Sequence, residues 1–390
     1  PKVQALADAV QAVMNGNASQ AQLEALGVTG VTPDNLSTVQ AALAAAVDAT
    51  ELNTQAGVQV VIDNAVYGLA AIEAAAQNNS ATPTSPSVAQ YQAVGVTGVT
   101  TANLASINSA LNEVDVAGAQ ANTAAKVQAI VDGYNAILNN ADDATAANPT
   151  QANYAAIGVN GVDTAQEVTL LGDVIDAKAR TDVDTVPEVQ ALADAVQAVM
   201  NGNATQSQLE ALGVTGVTPA NLSTVQAALV AAVDATQLNT QAGVQTVVTN
   251  AINALAAIQA AAQGNTATLG DSSVTPNILP ISAATYAAMG VTGVTDQNLA
   301  SINSALDDTD VTGTQANTAA KVQTLVDAYR VILSTADGAP NNSVDPTQAQ
   351  YEAIGVNGIN LPEELSLLGQ VIDSKTTADV DTVAEVQALA

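Results

Sequence analysis

Side chains able to do acid–base, nucleophilic or metal chemistry are scarce in this chain, and those present are mostly carboxylates. Histidine and cysteine do not occur, and no serine sits in a Gly-x-Ser-x-Gly elbow. The usual nucleophile–base pairs therefore cannot be assembled, and no thiol or disulfide chemistry is open to the chain. Acids gather at Asp182 and Asp184, at Asp307, Asp308 and Asp310, and at Asp379 and Asp381. Such oxygen-rich clusters can hold Ca²⁺, but neither an EF-hand loop nor a Gly-Gly-x-Gly-x-Asp repeat is present. Capping of helix N-termini and complementing of the helix dipole account for these acids. Calcium is the residual alternative, and no cofactor is expected. A Lys–Asn isopeptide bond is not expected as a repeated device, because the segments 182–236 and 237–312 contain no lysine.

A glycine-rich hexapeptide, Gly-Val-(Thr/Asn)-Gly-(Val/Ile)-(Thr/Asp/Asn), begins at Gly27, Gly95, Gly158, Gly213, Gly290 and Gly355. A glycine loop opening a helix can cradle an anion. Here no strand precedes it and no lysine follows it, so it reads as a helix–helix turn that needs glycine for backbone reasons. Catalytic, cofactor-binding and metal-binding residues are all expected to be none, and the chain is not expected to be an enzyme.

The recurrence of the hexapeptide exposes the organisation. Pro187–Thr246 reproduces Pro1–Val60 with seven differences, and with the six hexapeptides this gives two copies of a three-module unit. The modules are 1–50, 51–117, 118–181, 182–236, 237–312 and 313–378, with the start of a further one at 379–390. A fixed period signals a tandem array built by stacking. Pro1 corresponds to Pro187, inside a helix-start pattern, and the chain ends midway through that pattern. The sequence is therefore expected to be a window on a longer array.

Each module reads as three helices. The first is long: Val3–Met14, Thr54–Gln77, Ala119–Asn139, Thr185–Met200, Thr240–Gln263 and Thr314–Leu333. Val3, Leu6, Val10 and Val13 illustrate its apolar face. The second is short and ends at the hexapeptide glycine. Four residues before that glycine stands Leu23, Tyr91, Tyr154, Leu209, Tyr286 or Tyr351; these are expected in the core, tyrosine hydroxyls at the rim. The third is expected to start from N-caps Thr32, Thr100, Thr218 and Thr295, with Pro33 and Pro219 in its first turn, and from Asp163…Gln166 and Asn360…Glu363 in modules three and six. Connections at 78–87, 140–149, 264–281 and 336–346 read as surface loops. Short junctions such as Val114–Ala119 predict nearest-neighbour contacts and an all-α rod on the order of 150–200 Å, from long helices rising ~1.5 Å per residue.

Seven Lys and Arg against 37 Asp and Glu leave a net charge of −30. Nucleic acid is thereby disfavoured as a partner, since phosphate neutralisation needs clustered cations. No run approaches 18 apolar residues, so no segment is expected to enter a bilayer.

Tyr154-Ala-Ala-Ile-Gly-Val159, the stretch Gly95–Leu111 and the stretch Ala378–Ala388 resemble the alanine-rich helical repeats of large bacterial cell-surface adhesins and biofilm-associated proteins. The resemblance covers essentially the whole chain, and its motifs are structural. It implies an extracellular, cell-surface extender that projects a distal binding domain, with neighbouring repeats as partners. A subunit of a self-assembling filament or surface layer, partnered by other copies of itself, is the alternative. The helix order also looks like the albumin-binding three-helix module of streptococcal surface proteins, which gives a second alternative.

Overall fold

The computed structural model describes residues 2–46, 50–76, 85–141, 143, 145–232, 235–262, 281–339 and 344–390. Those residues are helical, with no named strand among them and a single isolated bridge between Asp337 and Thr376. They form two compact units, Pro1–Gln197 and Ala198–Ala390, divided shortly after the duplicated segment begins.

In the first unit the order is α1 (Lys2–Met14), α2 (Gln20–Ala25), α3 (Leu36–Ala45), α4 (Gln55–Ala76), α5 (Val88–Ala93), α6 (Leu104–Leu111), α7 (Ala124–Asn140), α8 (Gln151–Ala156) and α9 (Ala165–Asp176). Helix α10 (Val186–Met200) carries the chain across the division. The second unit continues with α11 (Gln206–Ala211), α12 (Leu222–Ala231), α13 (Gln241–Ala261), α14 (Ala283–Ala288), α15 (Leu299–Leu306), α16 (Ala319–Thr335), α17 (Gln348–Ala353), α18 (Pro362–Asp373) and α19 (Val383–Leu389). The expected order of a long helix, a short helix and a third helix is present in both, but the third is shorter than the long one expected, running from Leu36–Ala45 to Pro362–Asp373. Much of the expected loops at 78–87 and 264–281 lies outside the described residues.

The short helices end as their residues dictate. In each, the valine after the hexapeptide's first glycine donates its amide back to the Leu or Tyr carbonyl five residues earlier, from Val28 to Leu23 through Val356 to Tyr351. That bond requires the intervening glycine to be left-handed, and Gly27 has φ of 76°. All six Leu and Tyr side chains are fully buried.

Two sets of helix starts differ from expectation. Helices α7 and α16 begin at Ala124 and Ala319, not at Ala119 and Thr314. The hydroxyls of Thr123 and Thr318 accept from the amides of Lys126 and Lys321, and each lysine ammonium folds back onto the turn before it. Local capping there outcompetes helix extension.

The third helices start at Leu36, Leu104, Leu222 and Leu299 with Asn35, Asn103, Asn221 and Asn298 as N-caps. Thr32 is thus not the cap. It closes a turn ahead of the helix, its amide donating to Asn35 at 2.8 Å, while Asn35 Nδ2 reaches back to the Gly30 carbonyl. Pro33 and Pro219 lie in those turns. In modules three and six the capping carboxylates are Glu167 and Glu364, one residue beyond Gln166 and Glu363. Glu167 takes both the Asp163 and the Thr164 amides, and Glu364 takes those of Asn360 and Leu361.

In α1, Ala9 and Val13 are buried, while Val3, Leu6 and Val10 are exposed. Finally, α4 is long and apolar enough to cross a membrane by length and composition, which the sequence reading had not anticipated. Within the protein its Val58, Ile62, Leu69 and Ile72 are buried.

Candidate functional site: the joint between repeats

The hexapeptide loops are built into joints. Each presents the backbone of its third residue to a glutamine on the next long helix, about thirty residues ahead. Gln59 Oε1 accepts from the Thr29 amide at 2.9 Å, and Gln59 Nε2 donates to the Thr29 carbonyl at 3.0 Å. The same two-point pairing joins Gln128 to Thr97, Gln190 to Asn160, Gln245 to Thr215, Gln323 to Thr292 and Gln387 to Asn357. A primary amide carries a donor and an acceptor side by side, so it meets a backbone C=O and N–H at two points. In four of the six the same Nε2 also donates to an aspartate one turn on: Asp63, Asp132, Asp194 and Asp327. These aspartates thereby fix the amide's orientation.

A second set of bonds skips a module. The Ala124 amide at the start of α7 donates to the Thr38 hydroxyl of α3, and the Val186 amide of α10 donates to the Ser109 hydroxyl of α6. In the second unit Ala319 pairs with Thr224 and Val383 with Ser304 in the same way. Contacts thus reach the next-but-one module as well as the adjacent one joined by the clamp.

Glycine is needed where the loop meets the previous repeat. A Cβ on Gly95 would lie 2.7 Å from the Ala41 carbonyl oxygen, and one on Gly290 would lie 2.5 Å from that of Ala227. Gly30 and Gly358 differ, since they have nothing within 4 Å and are needed only for their φ of 86° and 93°.

The acidic clusters sit at these joints and act as acceptors. Asp310 takes the side-chain amide of Asn357 at 2.7 Å, Asp115 takes that of Asn160, and Asp379 caps the Thr376 amide and hydroxyl. Asp308 accepts the Asp310 amide. Burial, then the charges of Asp310 and Asp307, raise the Asp308 carboxyl above its ordinary value. Asp184 is raised likewise, by desolvation and by Glu188 beside it. Among the described residues no three such side chains converge on a cation-sized site.

Two grooves recur at equivalent places. One, of about 900 Å³, lies among Asn298, Asp327, Arg330 and Asp381; its counterpart, of about 490 Å³, lies among Asn103, Asn135, Arg180 and Asp184. Both are open, with polar and apolar surface mixed along their walls.

The four tyrosines that precede the hexapeptide glycines are core residues, but their hydroxyls are not at the rim. Tyr91 and Tyr286 donate to Asn108 and Asn303 at 2.8 and 2.9 Å. Tyr154 and Tyr351 bury hydroxyls that have no partner. The residue aligned with Asn108 in module three is Gly172, against which Asn148 packs.

Sequence reasoning placed the hexapeptides but missed the glutamines. Their signal was present, as a glutamine recurring thirty or thirty-one residues after each loop and usually followed by Asp four residues on. Comparison with family models, with curated proteins and with solved structures finds no match to this chain.

Proposed function

We propose that this chain is a spacer: tandem three-helix modules that form a stiff rod on a bacterial cell surface and hold a distal binding domain away from it. The single observation that carries the reading is the glutamine clamp made six times with one geometry, at 2.8–3.2 Å throughout. Identical joints repeat one rotation and one translation, which generates a regular superhelix. The bonds that reach the next-but-one module stiffen that path further. Chemistry-bearing side chains are spent on capping and joining, which suits architecture better than catalysis. Surface placement rests on the resemblance of the repeats to those of adhesins and biofilm-associated proteins.

Small-angle scattering on a dilute monomer tests the reading. A compact globule of 390 residues has a radius of gyration of only ~21 Å. A value well above that, with a rod-like cross-section regime, is the expected result. A value near the globular one would sink the spacer function.

A further inference from the structure

Four asparagines in this chain precede a glycine: Asn15, Asn160, Asn201 and Asn357. Such a pair can cyclise, because glycine has no side chain to hinder the approach of its amide nitrogen to the asparagine Cγ. The reaction needs that nitrogen free to give up its proton and turn inward. The fold divides the four pairs. Asn15 and Asn201 directly follow α1 and α10, where the Gly16 and Gly202 amides donate to the Val13 and Val199 carbonyls at 3.0 Å. Asn160 and Asn357 are exposed third residues of hexapeptides. The Gly161 and Gly358 amides that follow them donate to nothing among the described residues.

Those two asparagines also carry the joint. Gln190 pairs with the backbone N–H and C=O of Asn160, and Gln387 with those of Asn357. Their side-chain amides reach an acid of the module before, Asn160 donating to Asp115 and Asn357 to Asp310, both at 2.7 Å. Glu113 lies against the same loop, its Cβ 3.3 Å from where a Cβ on Gly158 would stand. The other four loops carry Thr29, Thr97, Thr215 and Thr292 at this position, which cannot cyclise.

We propose that Asn160 and Asn357 are sites of spontaneous deamidation, and that the change unlocks the joint each one makes. The Gly161 nitrogen attacks Cγ of Asn160. A C–N bond forms, the bond from Cγ to the side-chain nitrogen breaks, and ammonia leaves with the proton that the Gly161 nitrogen gives up. Water then opens the cyclic imide at one of its two carbonyls, giving aspartate or isoaspartate. Aspartate keeps the backbone pairing with Gln190 but turns the donor to Asp115 into a carboxylate that faces it. Like charges then replace a hydrogen bond, with Glu113 alongside. Isoaspartate sets one more carbon between the N–H and the C=O, so a single glutamine amide no longer meets both. This inference stands on the geometry of the loops and does not require the spacer reading.

The test holds the native chain in warm, mildly alkaline buffer, with samples digested by trypsin and read by tandem mass spectrometry. Cuts at Lys126, Lys178, Arg180, Lys321, Arg330 and Lys375 put the four asparagines on separate fragments. Asn160 and Asn357 are expected to convert about tenfold faster than Asn201, the rate equivalent of one hydrogen bond broken beforehand. In urea the three are expected to convert at similar rates. The proposal is overturned if Asn201 keeps pace in the native chain, or if Asn160 and Asn357 convert only in urea. Isoaspartate is expected among the products; aspartate alone would mean direct hydrolysis and overturn the cyclisation. The effect on the joint is read separately. Asn160→Asp is expected to lower the melting temperature at neutral pH, and Asp115→Asn in the same chain to restore most of the loss. Unchanged melting of Asn160→Asp, or a loss that Asp115→Asn leaves in place, overturns the unlocking.

Discussion

The backbone amide of Ala124 donates to the hydroxyl of Thr38 at 3.1 Å across 86 residues of sequence, and both groups are buried. The first amides of a helix have no partner inside it. Here one is satisfied by a side chain two modules earlier, so the start of α7 depends on α3 being in place. The second unit repeats the arrangement with Ala319 and Thr224 at 3.0 Å.

Replacing that hydroxyl isosterically isolates its contribution. Thr38→Val keeps the volume but leaves the Ala124 amide buried and unsatisfied, which costs about 1–3 kcal/mol. Chemical denaturation should show this loss, and Thr224→Val should match it. An unchanged midpoint for both would mean that water reaches the amide and that the long-range bond is incidental.

The clamp is more exposed and its loss should be milder. Gln128→Ala removes both bonds to Thr97, each net worth roughly 0.5–1.5 kcal/mol, and solvent at the joint keeps the expected loss toward the low end. Gln128→Glu should be worse than alanine at neutral pH. It loses the donor to the Thr97 carbonyl and sets a second carboxylate beside Asp132. Melting of the two variants side by side checks the order, and a glutamate as stable as glutamine would refute the two-point pairing.

Buried hydroxyls separate the modules. Tyr91→Phe should lower stability by about 1 kcal/mol, since it strips Asn108 of a donor. Tyr154→Phe and Tyr351→Phe should be neutral or stabilising, because they delete hydroxyls that pair with nothing. Equal losses in all three would show that those hydroxyls are in fact bonded.

Acid should relieve one strained carboxylate. The Asp308 pKa is raised on folding, so its protonated form is the favoured one in the folded state. Its contribution is most favourable below the ordinary carboxylate range and is lost as pH rises through the folded value. Asp308→Asn should therefore raise the melting temperature at pH 7 and have little effect near pH 3, about one unit below an unperturbed aspartate. A benefit of equal size at both values would assign the gain to something other than charge.

Much of the architecture was legible in the chain. Six hexapeptides gave the period, the glycine–valine pair gave the end of each short helix, and the Leu or Tyr four residues earlier gave a core position. These are local rules: a left-handed glycine and a bond spanning five residues need nothing from elsewhere in the fold. Boundaries failed where two local solutions competed, as at Thr32, where Asn35 serves the loop carbonyl as well as the helix. Tertiary structure alone decided how repeats meet. Gln59 and Gln128 look like ordinary surface glutamines until the loop thirty residues behind is placed against them. Thr38 looks like a mid-helix threonine until α7 arrives from two modules away. A pattern states which face of a helix is apolar; only the packed chain states what covers it.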